Sequence, residues 1–155
     1  MDGIIILQQL LTSFCASAGF GIIFQAPRVS IIKCGFVGMT GWIVYFSLAQ
    51  ADVDAVVATL AGAFVVAILS QIMARRYKKP SIIFSVMGII PLVPGGLAYH
   101  ATRNFVENEY GLALTLAAKA FMLSGAITLG LVCSEVIEQV WQKRKQKKIG
   151  VESSR

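Results

Sequence analysis

The sequence predicts an all-α, polytopic membrane protein of about five transmembrane helices, the fourth broken at a Pro-x-x-Pro-Gly-Gly block. Three observations carry this. Of the 155 residues, 56% are hydrophobic and only 14% charged, with a mean hydropathy of +0.72, where a soluble domain carries roughly a quarter charged residues. The apolar residues lie in blocks near the ~20 residues that a bilayer core requires, not at amphipathic spacing. The basic residues fall between and after those blocks.

Span one is expected over 4–24, stopped by Gln25, Ala26, Pro27 and Arg28. Met1-Asp-Gly-Ile4 lacks a basic n-region and a small-residue cleavage site, so this reads as a retained span and not a signal peptide. Span two, over 34–49, is short and glycine-rich. Span three, over 54–74, has Asp52 or Asp54 placed to cap its start. Span four covers 82–100 and contains the break. Span five, over 111–134, runs on as a helix to Trp141. The expected organisation is one integral-membrane unit over 1–142 and a basic cytoplasmic tail over 143–155.

Charge orients the bundle. Arg28 and Lys33 follow span one; Arg75, Arg76, Lys78 and Lys79 follow span three. Lys143, Arg144, Lys145, Lys147, Lys148 and Arg155 form the tail, so by alternation twelve of the fourteen basic residues share one side. The other side has Arg103, while Lys119 falls inside span five. The positive-inside rule then predicts an external N-terminus and a cytoplasmic C-terminus. The net charge of +6 belongs to this topology and to contact with anionic membrane lipids, with Trp141 at the interface. No recognition-helix or stacking pattern suggests nucleic acid.

The break is Ile89-Ile90-Pro91-Leu92-Val93-Pro94-Gly95-Gly96. Pro91 and Pro94 lack an N–H and clash with the carbonyls of Met87 and Ile90, four residues back. Freed backbone groups at membrane depth persist only where protein or a wet cavity receives them. If helix resumes after Pro94, the N–H groups of Gly95, Gly96 and Leu97 form a positive dipole end suited to a carboxylate. Pro91, Pro94, Gly95 and Gly96 are therefore the leading substrate-path residues. A half-helix of about two turns, ending near His100, is expected beyond them.

Lys119 lies about eight residues into span five, ~12 Å from its start, and is a second substrate-path candidate as an intramembrane cation. A snorkelling lysine is the simpler alternative. His100, the single histidine, is a candidate for coupling. Glu135 and Glu138, one turn apart, read first as partners of nearby Arg or Lys and second as candidates for gating an inner mouth. Gly35, Gly38, Gly41, Gly62, Ala117 and Ala120 read as helix-packing positions. Cys15, Cys34 and Cys133 are odd in number and widely spaced; Cys15 and Cys133 read as apolar fillers, with no disulfide or metal set. No nucleophile set, P-loop or metal motif is present, so neither an enzyme nor a cofactor is expected.

The order of motifs resembles the threonine/serine exporter family. The matching pieces are Phe20-Gly-Ile-Ile-Phe24 with Pro27-Arg28, Cys34-Gly-x-x-Gly-x-x-Gly41-Trp42, Tyr77-Lys-Lys-Pro80, and Ile89-Ile-Pro91-Leu-Val-Pro94-Gly95-Gly96 with Tyr99. The likeness covers about residues 15–135 and is to the small membrane-only subunit of split, two-component exporters. It implies a bacterial inner-membrane secondary exporter of small amino acids such as threonine and serine, or of dicarboxylates such as succinate. It also implies a larger membrane subunit of the same family as partner, with a higher oligomer open. No family motif assigns Lys119 or His100 a role. Two alternatives stand beside a transport subunit: a non-conducting assembly subunit, and a homo-oligomeric carrier or channel acting alone.

Overall fold

A computed structural model describes residues 3–152, with side chains described for residues 4–137 and 139. The helices are α1 (Gly3–Ile23), α2 (Arg28–Gln50), α3 (Ala55–Tyr77), α4 (Ser81–Ile89), α5 (Gly95–Val106) and α6 (Tyr110–Glu152), with a 3-10 turn at Ile90–Leu92 between α4 and α5. Four are long and apolar enough to cross a membrane, and α4 with α5 makes a further crossing bent by 53°. The protein is an all-helical, multi-pass membrane protein.

Proline starts the helices. Pro27, Pro80 and Pro94 occupy the N-caps of α2, α4 and α5, and Pro91 opens the 3-10 turn. These are positions where a missing N–H costs nothing. Asp54 caps α3, its carboxylate accepting from the Val56 N–H at 2.8 Å. Because Pro27 already sets the first turn, α2 begins at Arg28 and not at the expected residue 34. The charges of Arg28 and Lys33 hid that turn in the sequence.

Four of the five connections, all but that between α4 and α5, use one device. Gln25, Asp52, Lys78 and Asn108 are left-handed, with φ of 54°, 56°, 52° and 65°. The next N–H in each case reaches back five residues: Ala26 to Gly21, Val53 to Leu48, Lys79 to Ala74 and Glu109 to Asn104. This closes the helix end by satisfying an orphan carbonyl. Two turns then pass to proline and two to an acid.

The turns separate the charges into opposite ends. Lys33 Nζ lies 3.3 Å from the centre of the Tyr77 ring, which joins the start of α2 to the end of α3. Gln139 and Glu135 of α6 share a cleft with Gln71 and Arg75 of α3. Gly130 of α6 sits against Leu60, Ala63 and Phe64. Thus α6 runs parallel to α3. A re-entrant α4–α5 loop would have returned the chain to the basic end and made α6 antiparallel, so the bent pair crosses the bundle once.

Close approach rests on absent Cβ atoms. A Cβ on Gly35 would strike the Phe14 ring, one on Gly38 the Ser17 hydroxyl, and one on Gly41 the Val66 side chain. A Cβ on Gly62 would lie 3.0 Å from the Gly41 carbonyl, and one on Gly88 would strike the Val37 and Val66 side chains. The core seated on these contacts joins Val37, Ala63, Val66, Leu92 and Ile127. Cys34, Phe84 and Met87 form a second cluster. Cys34 is buried and directed at the Ile83 carbonyl, 3.6 Å away, whereas Cys15 and Cys133 are exposed, so neither serves the filler role expected of it within this chain. Ala113 and Ala117 face α5 beside Ala101 and Phe105, and Ala120 is half-buried one turn further along.

The two faces of α6 differ in tolerance, which gives a test. A Cβ on Gly130 would lie 2.9 Å from the Leu60 carbonyl, but one on Gly125 meets nothing within 4 Å. Gly130→Val should destabilise the protein by about 1–3 kcal/mol through overpacking, while Gly125→Val leaves it unchanged. Thermal unfolding in detergent reads the difference.

Candidate functional site

The break is built from three hydrogen bonds. Val93 N–H donates to the Ile90 carbonyl (3.3 Å), closing the 3-10 turn, and Gly95 N–H donates to Val93 (2.8 Å). Ala98 N–H then donates to Pro94 (3.1 Å), and Glu107 N–H to Arg103 (3.0 Å) ends α5. The expectation of freed groups is therefore corrected at two positions. The Ile90 carbonyl is taken up by the tight turn, and the Gly95 N–H is used by Val93. Gly96 and Leu97 remain as first-turn donors, which have no acceptor within an α-helix.

Neither glycine is required by backbone conformation, since no glycine among the described residues has positive φ. A Cβ on Gly95 or Gly96 meets nothing within 4 Å, and both are exposed. They keep the outer surface of the break bare. The half-helix beyond is longer than the sequence reading proposed: α5 has 12 residues and ends at Val106, not His100.

Depth follows from packing. Leu92 abuts Gly62, the eighth residue of α3, so the break lies about 10 Å below the acidic end of that helix at ~1.5 Å per residue. The 12 residues of α5 span about 18 Å. Tilted by 53°, they rise only about 11 Å along the direction of α4. The bend thus fits α5 to the depth that remains. Its main contacts are to α6, and its opposite face is uncovered by the other described residues.

Pro91 lines a cleft of about 190 Å³ with Gln9, Thr12, Ser13 and Ala16 of α1 and Trp42 of α2. The Trp42 indole N–H donates to Gln9 Oε1 at 2.8 Å, and the indole stacks at a tilt on Tyr45, 5.1 Å between centres. Thr12 and Ser13 donate their hydroxyl protons to the carbonyls of Gln8 and Gln9 (2.8 and 2.7 Å). One turn on, Ser17 is fully buried and its Oγ has no hydrogen-bond partner among the described residues. Gln9, Ser13 and Ser17 recur at intervals of four, a polar seam on an apolar helix. That spacing was available in the sequence, and it is the signal that the reading of motifs passed over.

The other candidates stand apart from this cleft. Lys119 is exposed, on the same face of α6 as Leu123, Ala126 and Gly130, which pack in the chain's interior. His100 is exposed on α5, edge-on to Tyr99 at 5.5 Å. Glu135 lies at the basic end, in a cleft of about 360 Å³ with Gln71, Arg75, Lys79, Ser81 and Gln139. The Glu138 side chain and those of the basic tail lie outside the described residues.

The chain is thus a multi-pass bundle with one broken span and a cleft at the break lined by an amide, two hydroxyls and an indole. Residues 9–137 match the family described as "Threonine/Serine exporter, ThrE". The chain belongs to that family. An uncharacterized protein of Haemophilus influenzae is 24% identical over 133 residues, which are 85% of this chain and 44% of that relative. The chain thus spans less than half the length of this relative. No solved structure matches it.

The open space around Gly95 and Gly96 makes their substitution a clean probe. Gly95→Ala and Gly96→Ala should leave folding intact, or raise stability by up to about 1 kcal/mol through helix propensity. Unfolding curves in detergent that show a clear loss for either variant would contradict the exposed placement.

Proposed function

We propose that this chain is a subunit of a secondary-active exporter of small carboxylate-bearing metabolites, threonine- and serine-type amino acids or dicarboxylates such as succinate. The observation that carries the reading is the break at Pro91–Gly96, about 10 Å inside the bundle, in a chain of an exporter family. Broken helices at membrane depth are where secondary transporters hold anionic substrate groups. The first-turn N–H groups of Gly96 and Leu97 supply the positive end of a short dipole, and export proceeds past them. Lys119 acts as a counter-charge on α6, His100 serves coupling at the acidic end, and Glu135 with Glu138 serves the inner mouth.

A larger membrane subunit of the same family completes the path. Support comes from the relative of which the matched residues make up only 44% and from the face of α5 left uncovered by the other described residues. The complex resides in the bacterial inner membrane, with the N-terminus outside and the tail in the cytoplasm. The basic residues gathered at one end of the bundle, beside Tyr77, support that orientation.

Efflux measurements separate the readings. Cells expressing this chain alone, the larger subunit alone, and both together are compared with cells carrying Pro94→Ala/Gly95→Leu in the pair. Transport only by the pair, lost in the variant at unchanged complex abundance, is the expected outcome. Survival of transport in the variant would reduce the chain to an assembly role, and transport by this chain alone would make it a self-sufficient carrier. Orientation is tested with single cysteines in a chain freed of its own three. Asp52→Cys should react with an impermeant maleimide in intact cells, and Lys79→Cys only after lysis.

A further inference from the structure

We propose that Gln9, held by Trp42, binds the substrate carboxylate at a station of the export path separate from the first-turn N–H groups of Gly96 and Leu97. The site is the cleft between α1, α2 and Pro91, and it rests on the export reading above. An indole N–H can only donate, so its 2.8 Å bond to Gln9 Oε1 fixes which way the amide is turned. The Gln9 NH₂ is left as the group offered to a ligand, with two donors. A carboxylate is an acceptor-only group with two oxygens, and the amide meets it without a buried charge to desolvate.

The rest of the cleft has the opposite polarity. Thr12 and Ser13 have spent their protons on the carbonyls of Gln8 and Gln9, so their oxygens face a ligand only as acceptors. They suit an ammonium or a hydroxyl donor. The cleft therefore offers donors at Gln9 and acceptors at Thr12 and Ser13, an arrangement matched by an amino acid zwitterion. A dicarboxylate would bring a second acceptor group against the hydroxyl oxygens. The cleft volume, about 190 Å³, admits a small molecule and little more. Gln9 is the seventh residue of α1 and lies about 9 Å from the helix start, so it is level with the break. The pyrrolidine of Pro91 forms one wall, and Leu92, its neighbour, is anchored in the core. A shift of the broken span would open or close the cleft directly.

Trp42 makes the site observable. The chain has two tryptophans, so Trp141→Phe leaves Trp42 as the sole indole reporter. The full chain in lipid nanodiscs at pH 8 is titrated with L-threonine, L-serine and succinate while indole emission is followed. The expected result is a saturable change with the amino acids and at least tenfold weaker binding of succinate. Gln9→Glu keeps an acceptor for the indole and replaces the donors with an anion, so amino acid binding should fall at least tenfold in a protein with an unchanged unfolding curve. Gln9→Leu should lose binding as well.

Saturable binding that is indifferent to both Gln9 variants overturns the proposal, as does the absence of saturation with all three compounds. Preference for succinate overturns the assignment of the hydroxyls. Failure of export is read separately: binding at Trp42 without efflux by any subunit combination would sink the transport reading and leave the site. Efflux insensitive to Gln9→Glu would sink the site and leave the transport reading.

Discussion

A backbone that enters a membrane must find hydrogen-bond partners within the protein, and one place in this chain puts that requirement under strain. Between Ile89 and Gly96 two prolines interrupt the fourth span. The structure answers with a single 3-10 turn, one short bond from Gly95 to Val93, and a fresh helix tilted by 53°. Covering that turn requires α1, α2 and α3 to come close, and the glycines of α2 and α3 permit it. Gly41 and Gly62 lie back to back, with Leu92 wedged beside both. Packing in lipid gains little from apolar character alone and depends on such close contact. The break and the glycine seam are therefore one structural problem and its solution.

The same geometry sorts the chain into two parts with different exposure. α1 to α4 form a closely packed bundle with residues 123–135 of α6, whereas α5 touches little besides the start of α6. An apolar α6 segment of 28 residues is about 42 Å long, more than the ~30 Å hydrocarbon layer. It must tilt or stand out of the layer to be accommodated. α5 and the start of α6 form a hairpin attached at one edge and joined to α4 by the proline turn. The polar seam of α1 lies beside that turn.

Legibility differed by the kind of information involved. The helical spans, the break and the two-ended charge pattern were readable because each is local: a run of apolar residues, a proline, a lysine in a short loop. The start of α2 at Arg28 was missed because a charged first turn resembles a loop. The length of α5 was missed because Thr102, Arg103 and Asn104 look like an exit from the membrane, yet they continue the helix to Val106. Lys119, the most conspicuous ionisable residue of the spans, is exposed and outside the cleft that contains Pro91. Gln9, Ser13 and Ser17 drew no attention, since uncharged polar residues in a span are unremarkable until something faces them.

By itself, the sequence determined that this is a helical membrane protein, that its fourth span cannot be continuous, and that one end of it is basic. It also carried the motifs of the exporter family. Those are consequences of residue type and short spacing, which act through solvation and through the stereochemistry of proline. Only the tertiary structure decided that α6 runs parallel to α3, that the Ile90 carbonyl and Gly95 N–H are already engaged, and that Pro91 faces Gln9 and Trp42. Residues 9, 42 and 91 are far apart in the chain, and helix packing alone brings an amide, an indole and a proline into one cleft.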